Sequence, residues 1–278
     1  EFTVFVQTKQ QFEMVLGKFK TYRKLSERSY GIYLAAESFD AQEWKKLADR
    51  CREAGVRCYL MMPRIFPKEA EQYFRKQMEL LTSAGFDALG IGSMEEPGFL
   101  REAGIELPMY FDQGMYSWNH LAGAAMERYG ADRLTIPVEL NEREIRDSGV
   151  QGEMIVYGYL PMMISAQCIR KTTLGCSGKP EIMWLKDRKD MRFPVVNQCR
   201  FCYNTIYNSA PLSLLGLSEQ VTGLKPNAVR LNFTVEEPAA AGEILDAFFE
   251  EYALGEKAAE PSVLKNQFTR GHFKRGVE

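Results

Sequence analysis

Histidine is scarce in this chain: His120 and His272 are the only two in 278 residues. A serine or cysteine hydrolase needs a histidine base oriented by a third group, and only these two are on hand for the role. His120 falls in a predicted helix and reads as a packed or surface residue, while His272 lies near the end of the chain. A His-Glu-x-x-His zinc motif is missing, as are a Gly-x-Ser-x-Gly nucleophile elbow and a Walker loop. The run Gly175 to Pro180 has a faint likeness to a phosphate loop, but Pro180 occupies the Ser/Thr place and the first glycine is misplaced. No apolar run reaches ~18 residues and no charged-then-apolar leader opens the chain, so the expectation is a cytoplasmic protein with neither membrane span nor signal peptide. Charge of one sign is also lacking. The 35 Lys and Arg against 37 Asp and Glu leave −2, which by itself argues for no polyanionic partner. The first residue is Glu1 rather than Met, and the expectation is that the chain forms part of a longer reading frame with more of it upstream.

What is present is cysteine in one place. Cys168, Cys176, Cys199 and Cys202 give the pattern C-x7-C-x22-C-x2-C within a predicted loop spanning residues 165–208. Cys199 and Cys202 are near enough in sequence to bind one metal centre, with Cys168 and Cys176 as the second pair. Four thiolates hold zinc or an iron–sulfur cluster, and the uneven spacing suits a cubane cluster at least as well as a zinc ribbon, which usually has two tight hooks. Plain thiols are the remaining alternative. Cys51 and Cys58 fall on a helix and a strand and read as core residues.

The loop is also basic. Eight Lys or Arg, among them Arg170, Lys171 and Arg200, face only Glu181, Asp187 and Asp190, a local +5. The closing stretch adds Arg270, Lys274 and Arg275. Such a surface attracts a phosphate-bearing or carboxylate-bearing ligand, or is simply solvated. Trp184, Phe201 and Tyr203 nearby either stack on a base or pack the loop.

Short β-type runs alternate with longer helical ones throughout. Strands are predicted at Thr3–Gln7, Gly31–Ala35, Val56–Met62, Ala88–Gly92, Met109–Asp112, Leu134–Val138, Met154–Leu160 and Val229–Phe233. Predicted helices lie between them, one running unbroken from Lys68 to Ala84, one capped by Asp40, one at Trp118–Tyr129 and another starting near Pro211. Eight βα units predict an α/β fold, a (βα)8 TIM-type barrel over residues 1–257 with a long cysteine-bearing loop after strand seven. An open doubly wound sheet is the alternative, weakened by the lack of a Gly-rich loop after strand one. Residues 258–278 form a basic C-terminal tail. Barrel sites lie at the C-terminal ends of strands, which singles out Glu37, Arg64, Asp112, Gln113, Glu139, Tyr157, Arg230 and Asn232 as a polar pocket beside the cysteines. Arg64 and Arg230 are the candidates for gripping carboxylates.

Val156 to Met163 (VYGYLPMM), then Cys168, Leu185 to Arg188 (LKDR), and Cys199 to Ser209 (CRFCYNTIYNS) resemble the collagenase-like proteins of peptidase family U32. The closing Phe268 to Gly276 (FTRGHFKRG) is similar to the ending of that family's long members. The likeness is strongest over residues 134–278. It implies a barrel-like fold and a four-iron, four-sulfur (4Fe-4S) cluster on Cys168, Cys176, Cys199 and Cys202. It also implies an oxidoreductase of the hydroxylase type, acting without molecular oxygen on RNA pyrimidines or a quinone ring, with a carboxylate-bearing small molecule such as prephenate as oxygen source. RNA would meet the basic loop and tail through Arg170, Lys171, Arg200, Arg270, His272, Lys274 and Arg275, with Glu37 also on the substrate side. The family label supplies a second reading, a collagenase-like peptidase. A third is a non-catalytic RNA-docking half of a longer protein. Two departures stand out: no further cysteine follows closely after Cys176, and Asn232 occupies a place where the family pattern would carry a carboxylate.

Overall fold

The computed structural model describes residues 1–265 and 267–275. Strand and helix alternate in chain order: β1 (Phe2–Val6), α1 (Lys9–Tyr22), β2 (Tyr30–Ala35), α2 (Ala41–Glu53), β3 (Arg57–Met61), α3 (Lys68–Lys76), α4 (Met78–Ser83), β4 (Ala88–Ile91), α5 (Glu95–Glu102), β5 (Met109–Phe111), α6 (His120–Arg128), β6 (Arg133–Leu134), α7 (Glu142–Ser148) and β7 (Glu153–Gly158). A four-stranded insert follows, with β8 (Pro161–Ser165), α8 (Ile169–Thr173), β9 (Ile182–Lys186), β10 (Arg192–Gln198) and β11 (Tyr203–Tyr207). The chain then closes with β12 (Leu212–Ser213), α9 (Ser218–Gly223), β13 (Ala228–Phe233) and α10 (Pro238–Phe249).

The main sheet has nine strands in the order β12-β7-β13-β1-β2-β3-β4-β5-β6, all parallel except β12. It curls. One isolated parallel bridge, Thr135 to Glu153, brings the end beyond β6 back to β7, and Ile136 N–H donates to Glu153 O at 2.8 Å. The eight parallel strands expected of a barrel are present in barrel order, with β12 added as an antiparallel ninth, and the curled sheet brings its two flanks together at this bridge. β6 is only two residues long because Pro137 has no N–H with which to extend the ladder.

Alternation along the strands builds two unequal cores. Phe2, Val4 and Val6 of β1, Ile32 and Leu34 of β2, and Leu231 and Phe233 of β13 face the helices and pack with Phe12, Phe19, Trp44 and Phe248. The concave side holds a small cluster of Tyr33, Tyr59, Met61 and Ala88 with Phe5 and Tyr110. Interleaved with it are Thr3, Glu153 and Arg230, all buried. The inner face is thus polar where a barrel interior is usually filled with branched aliphatics.

Several local expectations are corrected. The single helix expected over 68–84 breaks at Gln77 (φ −103°, ψ 14°), whose N–H reaches both Tyr73 O and Phe74 O at 3.1 Å. The helix expected over 118–129 begins only at His120, capped by Asn119, and the chain after Pro211 enters β12 before α9. Asp40 does cap its helix, accepting from Gln42 N–H at 3.0 Å. The largest correction is the cysteine loop, which is a separate antiparallel sheet of order β8-β11-β10-β9. The basic tail is docked as well. Arg270 donates to Ser213 O and Leu215 O, Thr269 bridges Leu212, and Phe273 is buried. Gly276 and Glu278, part of that expected tail, lie outside the described residues.

Candidate functional site: a charged cavity beside the cysteine turn

Ligands of parallel α/β sheets bind beyond the carboxyl ends of the strands. Here a cavity of about 80 Å³ opens at that rim, between the curled sheet and the small antiparallel one. Glu37, Arg64, Asp112, Gln113, Arg230 and Asn232 line it together, as the alternation of strands and loops implies. Two expected members do not join them. Glu139 is half-buried in the turn after β6, and Tyr157 is buried in the outer core against Phe233 and Phe248, with ring centroids 5.8 and 5.7 Å away. The small sheet contributes a lid that the loop reading did not contain: Pro161, Gln198, Tyr203, Thr205 and Tyr207 also line the cavity.

Arg230 ties the cavity to the sheet interior. Its guanidinium donates to Glu153 Oε2 at 3.0 Å and to Asp112 Oδ1, and it lies 5.0 Å from the centroid of the Tyr33 ring. Glu153, fully buried, also accepts from Thr3 Oγ1 at 2.6 Å and from Tyr33 OH at 3.1 Å. A buried carboxylate is tolerated only when so compensated. Deeper in the sheet Arg133 pairs with Glu1 at 2.7 Å, and Tyr59 OH donates to the same carboxylate at 2.7 Å. This column was not anticipated. A lone Glu ahead of an apolar run looks like a loop residue unless its strand register is known.

The two carboxyls of the cavity are driven apart. Burial raises Glu37, although Tyr203 OH donates to it and pulls it part of the way back. Burial also acts to raise Asp112, but the charges of Arg230 and Arg64 outweigh it and hold Asp112 below the ordinary range. Environments that separate two carboxyls mark one as a proton carrier and the other as a fixed anion. Behind Glu37, the buried Glu96 accepts from Gly92 N–H at 2.7 Å and Ser93 N–H at 3.3 Å, clamping the loop after β4. A Cβ at Gly92 would come within 2.8 Å of Pro63 O and 3.0 Å of Arg64 Cα, so the glycine is what lets Arg64 reach the cavity.

A pH test follows from Asp112. A carboxyl with a depressed folded pKa contributes stability that is complete above its unfolded value, about 3.9, and is lost as pH falls through the folded value. Asp112→Asn should be about 3 kcal/mol less stable at neutral pH. It should also lack this part of the acid-side loss, so urea midpoints of the two proteins converge as pH drops. A constant gap down to strongly acidic pH would contradict the assignment.

The cysteines meet at one end of the small sheet. β8 and β11 pair Ser165 with Asn204, and β10 and β11 pair Gln198 with Tyr203. Cys168, just past β8, therefore stands beside the turn that carries Cys199 and Cys202. Asn204 Nδ2 fastens this corner by donating to Ser165 O at 3.2 Å and Gln167 O at 2.9 Å. Cys168 accepts from Lys171 N–H at 3.4 Å as the N-cap of α8, and Cys202 adopts φ 57°, a left-handed conformation rare outside glycine and asparagine. The Cys199 thiol is raised first by burial and then by Cys168, Cys176 and Cys202, so all three act on it electrostatically. All four are free thiols, with Cys176 and Cys202 exposed. Among the described residues, no group of three or more His, Cys, Asp or Glu stands arranged to hold a metal ion. The donors fit a thiolate-ligated centre in kind and in common location.

The turn itself is anchored rather than open. Arg200 donates to Glu37 O at 3.1 Å and to Tyr73 OH at 2.6 Å, and Phe201 packs on Tyr73 and Phe74. Tyr203 is buried with it, so of the three aromatic residues near the cysteines only Trp184 is exposed. Of the expected substrate-binding cations, Arg200 and Arg270 are held by backbone carbonyls and Arg170 pairs with Glu181. Lys171, Lys274 and Arg275 are exposed, as is His272. Neither histidine lines the cavity.

The family model for peptidase family U32 matches residues 23–236. The chain belongs to that family. The match begins well before residue 134, where the likeness had been most legible, and ends before the closing FTRGHFKRG run. Among solved structures, this U32 chain is similar to a candidate fructose-1,6-biphosphate aldolase from Coccidioides immitis, at 11% identity and TM-score 0.49 over 95% of this chain and 82% of that one. It is similar to the U32 peptidase Mk0906 at 13% identity and TM-score 0.46, covering 86% and 94%. It is also similar to a thiamine phosphate pyrophosphorylase from Pyrococcus furiosus at 11% identity and TM-score 0.45, covering 90% and 96%. No curated protein matches the sequence. Among the described residues no helix is long and apolar enough to cross a membrane.

Proposed function

We propose that this U32 protein is an iron–sulfur enzyme that hydroxylates an RNA pyrimidine or a small ring without molecular oxygen, using a carboxylate-bearing small molecule as oxygen source. The observation that carries the reading is the adjacency of the cysteine turn to the charged cavity, since Gln198 and Tyr203, which flank Cys199 and Cys202, both line it. Cys168, Cys176, Cys199 and Cys202 would hold the 4Fe-4S cluster, which supplies one-electron transfer when bound. Zinc in the same site is the alternative, and would make the centre structural. The curled sheet then acts as a barrel closed at the Thr135 bridge.

Arg64 is the group suited to the donor carboxylate. Its side chain lines the cavity with no side-chain ion pair or hydrogen bond among the described residues, while its backbone N–H serves Glu37; Arg230 gives two of its nitrogens to Asp112 and Glu153 and keeps only a buried Nε without a partner. Asp112 serves as the fixed anion that orients Arg64, and Glu37 exchanges the proton. Gln113 Oε1, Asn232 Oδ1 and Thr234 Oγ1 are buried without partners and are left to a polar ligand. Exposed Lys171, Lys274 and Arg275 would face an RNA backbone. Arg64→Gln should weaken binding of a dicarboxylate about tenfold or more while leaving the melting temperature near wild type. Unchanged affinity would remove Arg64 from the site. Mass spectrometry of RNA from a strain lacking the gene tests the substrate: a full set of hydroxylated pyrimidines would leave only the small ring.

A further inference from the structure

A groove of about 570 Å³ lies beside the charged cavity, between the start of α1 and strands β9 and β10 of the small sheet. Gln7, Gln198 and Thr234 line both spaces and so stand between them. The charged side chains of the groove are already engaged: Lys9 pairs with Glu43, Glu13 with Arg50 and Glu181 with Arg170. Pro180, Ile182 and Val196 give it apolar walls. What remains for a ligand is a pair of primary amides. Gln7 Nε2 donates to Ser38 Oγ at 2.6 Å and reaches Gln198 Oε1 at 3.5 Å, the outer limit of a hydrogen bond. That leaves Gln7 Oε1 as an acceptor and Gln198 Nε2 as a donor, neither with a hydrogen-bond partner among the described residues. Gln7 is only 6% exposed and Gln198 4%, yet neither of these two atoms is sealed from solvent, unlike the Thr234 hydroxyl beside them.

Resting on the proposed hydroxylation of a ring beside the cysteine corner, we infer that Gln7 and Gln198 are the specificity-determining pair, and that the ring is a cyclic imide or lactam. It lies in the groove, gives its N–H to one amide and accepts at the adjacent C=O from the other. One acceptor beside one donor is the complement of an N–H next to a C=O. Turning both amides over reverses the order and keeps the complement. In a uracil-type ring the N–H has a C=O on each side, so either order is met. A carbocyclic quinone offers acceptors alone and leaves an amide oxygen desolvated without a donor, which counts against it. Gln198 directly precedes Cys199, so a ring held there lies next to the cysteine turn.

Uridine and 3-methyluridine differ by that N–H alone, the other ring nitrogen being blocked by the sugar in both, and they make the test. In ligand-observed NMR titrations of the anaerobically purified whole chain, uridine should bind about tenfold tighter than its methylated form. Gln7→Met and Gln198→Met, each close to the native side chain in volume, should remove the preference while thermal melts stay cooperative. The wild-type comparison stands even if a variant fails to fold. Equal affinity of the wild type for the two nucleosides, a preference untouched by both substitutions, or no binding of either nucleoside would overturn the assignment. The chemistry fails separately: protein without iron that still prefers uridine keeps the amide pair and loses the hydroxylation, whereas iron-loaded protein with equal affinities loses the amide pair alone.

Discussion

Arg230→Met lowers the stability of the fold by about 3–5 kcal/mol, the cost of breaking a buried ion pair from one side. The arginine is 1% exposed and serves two carboxylates at once, Asp112 at the cavity and Glu153 inside the sheet. Without it Glu153 remains fully buried, with the hydroxyls of Thr3 and Tyr33 as its hydrogen-bond donors and Arg133 as the more distant cation. Glu153→Gln combined with Arg230→Met should recover much of the loss, because neither side of the pair is then left charged. Urea denaturation of the three proteins checks this. A loss below about 1 kcal/mol would mean that the pair behaves like a surface bridge. The same substitution frees Asp112 of its strongest cationic neighbour, so the variant reports on the cavity as well as on the fold.

Cys199→Ala is the second large effect. Cys199 is the cysteine on which Cys168, Cys176 and Cys202 all act, and it sits in a turn pinned by Arg200 to Glu37 and Tyr73. Removing its sulfur leaves three donors, of which Cys176 and Cys202 are exposed. A cubane needs four ligands, and three exposed or half-exposed thiolates hold one poorly. Because Phe201 and Arg200 keep the turn in place independently of the thiol, the variant should fold and, on the proposed reading, fail to hold the cluster.

Much of the curled sheet was legible because each strand is a short apolar run between helical periodicities. All eight expected strands exist, with ends shifted by a few residues at most except at Leu134–Val138, where Pro137 cuts the ladder short. The small antiparallel sheet was not legible. The apolar run Met154 to Ile164 merges β7 and β8, and periodicity cannot reveal the reversal between them. Gly158 marks it: at φ 146°, with a Cβ there falling 2.8 Å from Asn232, it ends one strand before the next begins. Charge counting located the basic loop and tail but not the carbonyls and carboxylates that occupy Arg170, Arg200 and Arg270. Glu37, Arg64, Asp112, Arg230 and Asn232 were found from strand ends alone, whereas Glu153 required register and burial that no local pattern carries.

The measurement that bears most directly on the proposed chemistry is iron and sulfide quantification with an absorption scan on anaerobically purified protein, wild type beside Cys199→Ala. About four irons per chain with matching sulfide and visible absorption, lost in the variant while its thermal melt stays cooperative, is the predicted result. Colourless protein carrying zinc, or no metal in either form, would contradict the redox reading and make the cysteine corner a structural one.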